Sequence, residues 1–513
     1  MPTYLLAHDL GTSGNKATLF TSDGKLVKSI THSYDLHVQY GTWIDQDADD
    51  WWKAICETTK ALLAEVNPAD IAAVSFSGTM MACLCVDKEG NPLYPGLIWA
   101  DMRSTKEAEE LAQRISPIDY YHITGHRLSS SYTGTKFMWI KKNEPEVYKK
   151  TYKTLNVKDY ILLKLTGNFV TDYSDASSTC LMDITKREWS EELVELCGLD
   201  MDKMPTILSS VDIAGKVTRE ASALTGLLEG TPVIVGGGDG ACAAVGTGAV
   251  RPGVANCCMG TSSWISFASE TPLFDDETMA TFNFAHIVPG YTLPCGTMQA
   301  GGASMTWAVG ELFKDSTLIK NEIYRKINED VETIPAGSDG LLYLPYLMGE
   351  RSPRWNDKAR GTFIGLTMNH SRAHILRSVM EGVALNLNVI LETYRKNGAT
   401  IENLITVGGG ARNKAWLKIL SEVMNINVQL PDILEGATSM GAAITAGVGI
   451  GLYENFDVID RFLNITDEIK PSENAPEVYA HTKALFEDAV FLTVFFRGVL
   501  GVIIRGLCCL KTA

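Results

Sequence analysis

A carboxylate that lies among glycines is the residue whose surroundings best suit catalysis in this sequence of 513 residues. The apolar run Pro232–Val235 leads into three glycines, then Asp239, and then a run of small residues. Because glycine and alanine leave room for a ligand, a carboxylate at this end of a strand can accept the proton of a substrate hydroxyl and orient its oxygen. The alternative, a helix cap at Asp239, would leave the lack of bulky neighbours unexplained. We therefore predict that Asp239 is a general base.

Two turns with the same three residues are candidates for binding phosphate. Gly11-Thr12-Ser13, followed by Gly14, and Gly260-Thr261-Ser262 each separate two predicted strands. Small residues allow an anion to approach backbone N–H groups and hydroxyls, so the two turns could bind the phosphates of a nucleotide from opposite sides. Asp9, just before the first turn, could hold Mg²⁺ through water molecules. Each turn taken alone is better explained as a tight hairpin with no ligand, and it is the pair of turns together with Asp9 that supports a phosphate site.

Two further segments could complete a nucleotide and sugar site. The segment Gly408–Asn413 would present open backbone and polar groups to an adenosine. Trp99, Asp101 and Arg103 combine an aromatic ring with a carboxylate and a guanidinium, which is the chemistry that binds a sugar by stacking and hydrogen bonding. The alternative for the second set is a salt bridge beside a core tryptophan.

Other nucleotide-binding motifs are not supported. Gly236-x-Gly238-x-x-Ala241 follows a predicted strand, as a dinucleotide fingerprint does, but the acidic residue that would bind the ribose about twenty positions later is missing. A Walker A loop is absent because Gly24-Lys25 and Gly215-Lys216 lack the following Ser or Thr. The sequence therefore argues against a dehydrogenase and a P-loop enzyme.

The elements that must position these residues alternate between strands and helices. Strands are predicted at Tyr4–Ala7, Lys16–Phe20, Ile71–Phe76, Pro232–Val235, Val254–Met259, Trp264–Phe267 and Leu404–Val407. We expect one helix to begin after Asp49 or Asp50 and another to run from a cap at Ser371 to a stop at Asn397. This alternation predicts an α/β fold. The repeated strand–turn–strand pattern predicts a duplicated domain, with a boundary near residue 250.

Composition narrows the classes of partner. The formal net charge of -16, without a basic stripe, argues against nucleic acid or an anionic membrane as the main partner. The eleven cysteines fit neither zinc spacing nor a closed set of disulfides, which predicts reduced thiols in a cytoplasmic protein, and the N-terminus lacks the features of a signal peptide. The oligomeric state stays open, a homodimer included.

The C-terminal end is unusual. Residues 490–510 are almost wholly apolar, but Arg497 and Arg505 interrupt them. Because charges inside a membrane span are costly, we expect a packed terminal helix; a membrane contact and an atypical sequence end are the alternatives.

Together these motifs resemble the FGGY family of carbohydrate kinases, over a stretch from Tyr4 to about residue 488. Residues 131–143, with Lys136 and Trp139 in register, are similar to the family's first signature, and residues 361–381 to its second. The resemblance implies two actin-like (ribonuclease H-like) domains: 1–250 on the sugar side and 251–488 on the ATP side, followed by an atypical tail, 489–513. ATP, Mg²⁺ and a small sugar or polyol would meet in the cleft between the domains.

The resemblance also implies roles for individual residues. Asp239 would be the catalytic base, and Asp9 would hold the metal. The implied nucleotide-binding residues are Asp9, Thr12, Ser13, Gly14, Gly260, Thr261, Ser262, Gly301, Gly302, Gly409, Gly410, Ala411 and Asn413. The implied sugar-binding residues are Met80, Met81, Trp99, Asp101, Arg103 and Asp239.

Within the family the sequence is most similar to members that phosphorylate D-xylulose, which also carry DLGTSG and a W-x-D-x-R run. Those members typically show SGQMHG where Ser77–Ala82 reads SGTMMA, so Met81 stands where a hydrogen-bonding histidine is expected. They also commonly have GGGDN, whereas Gly240 follows Asp239 here. Lost polar contacts change discrimination between hydroxyl-bearing substrates. D-xylulose is therefore the expected substrate, with ribulose, gluconate, glycerol or another polyol as alternatives, and a non-catalytic sugar-responsive binding protein as a further one.

Overall fold

The computed structural model describes residues 3–432 and 436–492. The strands of the first half are β1 Tyr4–Gly11, β2 Gly14–Thr21, β3 Leu26–Ser33, β4 His37–Gln39, β5 Trp43–Gln46, β6 Ile71–Gly78, β7 Leu84–Val86, β8 Gly96–Leu97, β9 Lys153–Leu155, β10 Val170–Asp172, β11 Met182–Asp183, β12 Glu188–Trp189, β13 Thr206–Leu208, β14 Ile213–Lys216, β15 Pro232–Ile234 and β16 Gly237–Gly238. Its α-helices are α1 Ala48–Leu63, α2 Thr105–Leu111, α3 Pro117–Thr124, α4 Thr133–Asn143, α5 Pro145–Lys150, α6 Val157–Thr166, α7 Tyr173–Ser178, α8 Glu191–Leu196, α9 Arg219–Thr225 and α10 Asp239–Gly246.

The second half has fewer and longer elements. Its strands are β17 Val254–Met259, β18 Ser263–Phe267, β19 Phe282–Ala285, β20 Thr292–Met298, β21 Leu342–Leu344, β22 Thr362–Ile364, β23 Asn403–Val407, β24 Asn427–Pro431 and β25 Ile465–Ile469. Its α-helices are α11 Gly302–Leu312, α12 Lys320–Glu332, α13 Arg372–Lys396, α14 Lys414–Met424, α15 Ala437–Gly449, α16 Ile459–Phe462 and α17 Ala475–Val490.

Each half is built around a mixed seven-stranded sheet, and the two sheets share one topology. The first has the order β14-β15-β6-β1-β2-β3, with β16 also pairing with β6. The second has the order β19-β20-β18-β17-β23-β24-β25. In both, an antiparallel hairpin (β1–β2 or β17–β18) is followed by a parallel strand beside its first member (β6 or β23). This repetition confirms the duplicated α/β fold that the two strand–turn–strand corners predict, and it agrees with the actin-like fold that the family resemblance implies.

The predicted strands form where the apolar runs are; the two that lead to the site extend further than predicted, whereas β15 ends one residue earlier, at Ile234. β1 runs on through Asp9 to Gly11, and β6 runs on through Ser77 to Gly78. Both strands are buried along most of their length, because helices cover the central strands of an α/β sheet on both faces. The extension matters for the site, since it places two polar residues, Asp9 and Ser77, at the ends of buried strands.

Two predicted helix starts have different outcomes. The cap of α1 is Asp47, whose side chain accepts a hydrogen bond from the backbone N–H of Asp49, so the prediction of Asp49 or Asp50 was wrong by two to three positions. Three aspartates within four positions give no local signal that distinguishes them. The long helix α13 is capped at Ser371 and ends at Asn397, as predicted.

The two halves meet through a pair of equivalent helices, α10 and α15, which pack closely against each other. A Cβ on Gly246 would lie 1.9 Å from the carbonyl oxygen of Ala437, and one on Gly441 would lie 2.0 Å from that of Cys242. Each helix therefore offers a glycine to the backbone of the other. This close approach lets the ends of the two helices share one cleft.

The structure also bears on the predictions for the cysteines and for the apolar C-terminal segment. Each cysteine within the described residues is an unbridged thiol, as predicted. No helix in residues 3–432 and 436–492 combines the length and the apolar content needed to cross a bilayer. The predicted terminal helix at 490–510 falls almost wholly outside the described residues.

Candidate active site

The register of the first sheet brings the predicted acidic residues together. Asp9 on β1 lies opposite Ser77 on β6, and Ser77 lies opposite Gly237 on β16. All three strands end at this edge, so Asp239, two residues beyond Gly237, enters the same cleft as Asp9. Residues that are 230 positions apart in the sequence thus become neighbours through strand pairing.

Asp9 joins the two halves at the base of the cleft. One carboxylate oxygen accepts a hydrogen bond from Ser77 Oγ at 3.0 Å, and the other accepts one from Thr438 Oγ1 at 2.6 Å. Thr438 lies in the first turn of α15, so it belongs to the opposite half. The ammonium of Lys16 is 3.9 Å from the second oxygen. Thr438 was not predicted from the sequence. The run of small residues in α15, which is similar to that in α10, could have indicated that this helix also lies at the site.

Asp239 is the first residue of α10, and it is partly exposed in the cleft. Gly238, with extended backbone, occupies the cap position, so the alternative interpretation of Asp239 as a helix cap is not supported. The carboxylate accepts a hydrogen bond from the backbone N–H of Gly240 at 2.7 Å. Burial, reinforced by the charge of Asp9, raises the pKa of Asp239 to about 7. A carboxylate with this pKa is well matched to proton transfer near neutral pH.

The first Gly-Thr-Ser turn has its carbonyl groups anchored to the protein. The hydroxyl of Tyr34 donates to Gly11 O at 2.6 Å, the Gln46 amide donates to Thr12 O at 2.9 Å, and the Tyr34 N–H donates to Ser13 O at 3.2 Å. Within the described chain, the backbone N–H groups of Thr12 and Ser13 have no partner. The turn therefore presents two consecutive donors, which fits a phosphate group.

The second turn is anchored on the same side by different groups. The backbone N–H groups of Gly302 and Ala303, at the start of α11, donate to the carbonyls of Gly260 and Thr261 at 2.7 and 3.0 Å. No partner for the N–H groups of Thr261 and Ser262 is found in residues 3–432 and 436–492. Gly301 caps α11 and lies against Ser263. The second turn also has the donors that a phosphate requires.

The glycine run after β23 forms one turn of 3₁₀ helix, Gly409–Arg412, before α14. Gly409 is exposed and Ala411 is buried, so open backbone lies beside a small apolar surface, as an adenosine site needs. The polar contact predicted for Asn413 stays a prediction: its side-chain oxygen accepts from Trp416 N–H at 2.9 Å and caps α14. Its buried Nδ2 has no partner among the described residues and remains available.

Trp99, Asp101 and Arg103 do not form one contact surface. Trp99 is partly exposed, and its indole N–H donates to Thr12 Oγ1 at 3.1 Å, which links the sugar side to the first turn. Asp101 is fully buried; its oxygens accept from Ile44 N–H at 2.6 Å and from Arg103 Nε at 2.8 Å. The direct sugar contact predicted for Asp101 and Arg103 is therefore corrected.

The Arg103 guanidinium completes this buried support. It donates to Asp45 at 2.8 Å and lies over the rings of Trp43 and Trp139, at 4.6 and 5.2 Å from their centres. The salt bridge that was the alternative interpretation is what the structure has, and it supports the segment that carries Trp99. An Asp and an Arg two positions apart look the same in a sequence whether they contact a ligand or form a buried ion pair.

Met80 and Met81 form the apolar floor beside Asp239. Met80 is buried against the backbone of Gly238, whereas Met81 is partly exposed and has a left-handed backbone with a φ of 65°. The ammonium of Lys136 donates to the carbonyls of Met81, Ile98 and Ser131 at 2.9, 2.5 and 2.6 Å. Lys136 therefore stabilises both the strained Met81 and the segment before Trp99. Its burial lowers the pKa of its ammonium to about 7, against the opposing charge of Asp101.

The donor set also fits a divalent metal held through water. No group of three or more His, Cys, Asp or Glu side chains that could ligate a metal occurs in the part of the chain that the structure describes. Asp9 offers a carboxylate whose lone pairs are only partly used by the hydroxyls of Ser77 and Thr438. One carboxylate together with waters and phosphate oxygens is how Mg²⁺ is usually bound in phosphoryl-transfer sites.

Comparison with known proteins identifies the family of the chain. The model described as "FGGY family of carbohydrate kinases, N-terminal domain" matches residues 4–246, and the corresponding C-terminal domain model matches residues 255–450. The chain is 33% identical over 497 residues to a xylulose kinase of Bacillus subtilis (94% of this chain, 98% of the relative). It is 28% identical to a gluconokinase of the same organism (95% of each chain). A solved structure of xylulose kinase from Rhodospirillum rubrum superposes with a TM-score of 0.90 at 27% identity, covering 96% of this chain and all of the other.

Proposed function

Since the chain belongs to the FGGY family of carbohydrate kinases, we propose that it phosphorylates D-xylulose with ATP to give D-xylulose 5-phosphate. Kinases of this family use ATP with a divalent metal, and we assign Mg²⁺ as that metal here. The observation that carries the proposal is the pair Asp9 and Asp239, which sheet register brings together, along with two turns whose N–H groups have no partner in the described part of the chain. A pure binding protein would need neither carboxylate.

The proposed chemistry assigns one proton transfer to the chain. Asp239 accepts the proton of the sugar hydroxyl as the oxygen forms its bond to the transferred phosphorus, while the bond from that phosphorus to the departing ADP oxygen breaks. Bound MgATP supplies the phosphoryl group. The N–H groups of Thr12, Ser13, Thr261 and Ser262 stabilise the charge on the phosphate oxygens. Asp9 would hold the metal ion through water, and Trp99 holds the sugar beside the first turn.

The assignment of the sugar rests on likeness to xylulose kinases, and the pocket contains one feature that favours an alternative. Met81 offers no hydrogen bond to a sugar hydroxyl, and the left-handed backbone at this position is held in place by Lys136. A site that lacks a polar partner discriminates less strongly between hydroxyl patterns. The likeness to a gluconokinase makes gluconate the second candidate.

A panel assay tests the proposal. ADP release by the purified full chain would be measured, through a coupled assay, with D-xylulose, ribulose, gluconate and glycerol. We expect the highest kcat/KM with D-xylulose. A higher value with gluconate would replace the substrate but keep the kinase, and no ADP release above a no-sugar control with any of the four would contradict the proposed function.

Two expectations about the whole protein stay predictions. The sequence leaves a homodimer open, and light scattering of the purified chain would give its mass in solution. The cytoplasmic location would be tested by fractionation of cells that express the full chain.

A further inference from the structure

A buried polar cluster lies directly behind the glycine run that carries Asp239. It contains Lys158 and Asp159 from α6, Asp172 at the end of β10, and Ser174 and Asp175 from α7. All five side chains are fully buried. None of them is needed for the nucleotide or sugar contacts described above. Buried charge on this scale is costly unless each group is paired, so its position calls for an explanation.

The centre of the cluster is the carboxylate of Asp172. Its Oδ1 lies 3.2 Å from the ammonium of Lys158. Its Oδ2 accepts from the hydroxyl of Ser174 at 2.5 Å, from the backbone N–H of Ser174 at 2.9 Å and from the hydroxyl of Ser210 at 2.8 Å. This many partners fix the orientation of the carboxylate. The direction of the Ser174 hydroxyl is fixed in turn, because its proton points at Asp172.

The Ser174 oxygen is left to accept a hydrogen bond, and the donor is the backbone N–H of Gly238 at 2.8 Å. Gly238 is the residue before Asp239 and the cap position of α10. It has no side chain of its own to hold it, and β16 consists of only two residues. A hydroxyl whose proton is held by an anion is a stronger acceptor, because hydrogen bonds in a chain polarise one another.

We propose that Ser174 is a positioning residue, which holds the Gly238 peptide and thereby orients the carboxylate of Asp239 toward the substrate hydroxyl. The chain of contacts runs from Lys158 through Asp172 and Ser174 to the peptide that precedes the base. This inference rests on the proposed role of Asp239. It adds a function for a buried cluster that touches neither substrate.

Ser210 provides a matched control. Its hydroxyl is also buried and donates to the same oxygen of Asp172, but within the described residues that hydroxyl makes no hydrogen bond to Gly238, and only the backbone carbonyl of Ser210 binds the glycine run, at Gly236 N–H. Ser174→Ala and Ser210→Ala therefore remove the same kind of hydrogen bond from the same carboxylate. Only Ser174→Ala also leaves the N–H of Gly238 without its acceptor.

The test compares kinetics of the two variants in the full chain. We expect Ser174→Ala to lower kcat by about 10- to 100-fold, since small displacements of a reacting group are costly, and to leave the KM for the sugar and the Kd for ADP unchanged. We expect Ser210→Ala to keep the kcat of the wild type. Equal kcat values for the two variants, or a Ser174→Ala effect confined to KM or Kd, would overturn the proposal.

Two additions keep the test decisive. Should Ser174→Ala fail to fold, Ser174→Cys fills similar space with a weak acceptor, and the same loss of kcat is expected. Hydrogen exchange of the peptide that contains Gly238 is independent of activity: it should become faster in Ser174→Ala and not in Ser210→Ala. Inactivity of the wild type would count against the proposed function, whereas unchanged exchange in Ser174→Ala would count against this inference alone.

Discussion

The two Gly-Thr-Ser turns occupy the same place in two sheets of the same topology, yet the protein anchors them differently. In the first half, side chains hold the turn: Tyr34 and Gln46 bind its carbonyls, and Trp99 binds Thr12. In the second half, the backbone of α11 holds it through Gly302 and Ala303. Both arrangements fix the carbonyl side and leave consecutive N–H groups without a partner among residues 3–432 and 436–492. The feature common to the two halves is therefore the donor pair, which is the part that a phosphate would use.

The two halves also differ in the helix that each contributes to the cleft. The helix α10 begins with Asp239, whereas its equivalent α15 begins with Ala437 and Thr438. Only the first half therefore places a carboxylate at the start of this helix, and Thr438 of the second half is bound to Asp9 of the first. The two halves are similar scaffolds, but the residues at the start of the two equivalent helices differ, and only the first half offers a carboxylate there for the proposed proton transfer.

The largest effect should come from removing the carboxylate that has no equivalent in the second half. Asp239→Asn keeps the shape of the side chain and can still accept from Gly240 N–H, so the chain should fold and bind ADP as the wild type does. Turnover should fall by about 10²- to 10⁴-fold, the usual contribution of a general base. Steady-state kinetics and ADP binding by calorimetry would measure both quantities. Substantial remaining turnover would contradict the role of Asp239 as the general base.

A glycine substitution beside the second turn should weaken ATP binding, whereas Asp239→Asn should lower turnover. A Cβ on Gly302 would lie 2.4 Å from the carbonyl oxygen of Gly260, so Gly302→Ala must displace the turn. We expect the KM for ATP to rise by about tenfold or more, the value of one charge-assisted hydrogen bond, while binding of the sugar is retained. Gly310→Ala, in the same helix with open space around the new Cβ, is the control and should behave as the wild type. Equal KM values for the two variants would contradict the anchoring role of α11.

The pH dependence of kcat/KM and of ADP binding should distinguish the proton chemistry of Asp239 from the phosphate contacts without a mutation. Because the raised pKa of Asp239 is about 7, the carboxyl is protonated at lower pH and cannot accept a proton. The kcat/KM for the sugar should therefore rise with pH through about 7, falling about tenfold for each pH unit below it. The Kd for ADP, which depends on backbone donors, should change far less over the same range. The range from pH 5.5 to pH 8 extends about one and a half units below this pKa and about one unit above it. A kcat/KM that is constant over that range would contradict the assignment of Asp239 as the base.

The smallest effect should come from one anchor of the first turn. Tyr34→Phe removes the hydroxyl that donates to Gly11 O but keeps the backbone bond from Tyr34 N–H to Ser13 O. We expect the KM for ATP to rise by about 2- to 10-fold, which corresponds to one hydrogen bond of about 0.5–1.5 kcal/mol. Tyr4→Phe is the control, since the Tyr4 hydroxyl makes no hydrogen bond within the described chain. A larger rise in the KM for ATP with Tyr34→Phe than with Gly302→Ala would contradict the expected order of the two anchors.

Features that depend on neighbouring residues were predicted well. The two turns, the strands beside them and the helix from Ser371 to Asn397 follow from apolar runs and from Gly, Ser and Asn at their ends. The position of Asp239 at the end of a glycine run was also visible. Local prediction was wrong where two interpretations shared one pattern, as at Asp47 and Asp49.

Features that depend on distant contacts were not predicted. The hydrogen bond from Thr438 to Asp9 joins residues 429 positions apart, and it exists because α10 and α15 approach at their glycines. The burial of Asp101 against Arg103 depends on the rings of Trp43 and Trp139, which arrive from other segments. The contact from Ser174 to Gly238 likewise crosses from α7 to the first sheet.

The sequence by itself determined which groups are available for chemistry: a carboxylate among glycines, two turns able to offer N–H groups, and the signatures of a kinase family. These are set by residue type and by chain-local geometry, because glycine and small residues act on their own backbone. The tertiary structure alone decided which groups face the cleft and which stand behind it. Asp9 and Asp239 became neighbours through strand register, whereas Asp101 was enclosed, because burial and pairing depend on packing between segments that are distant in the chain.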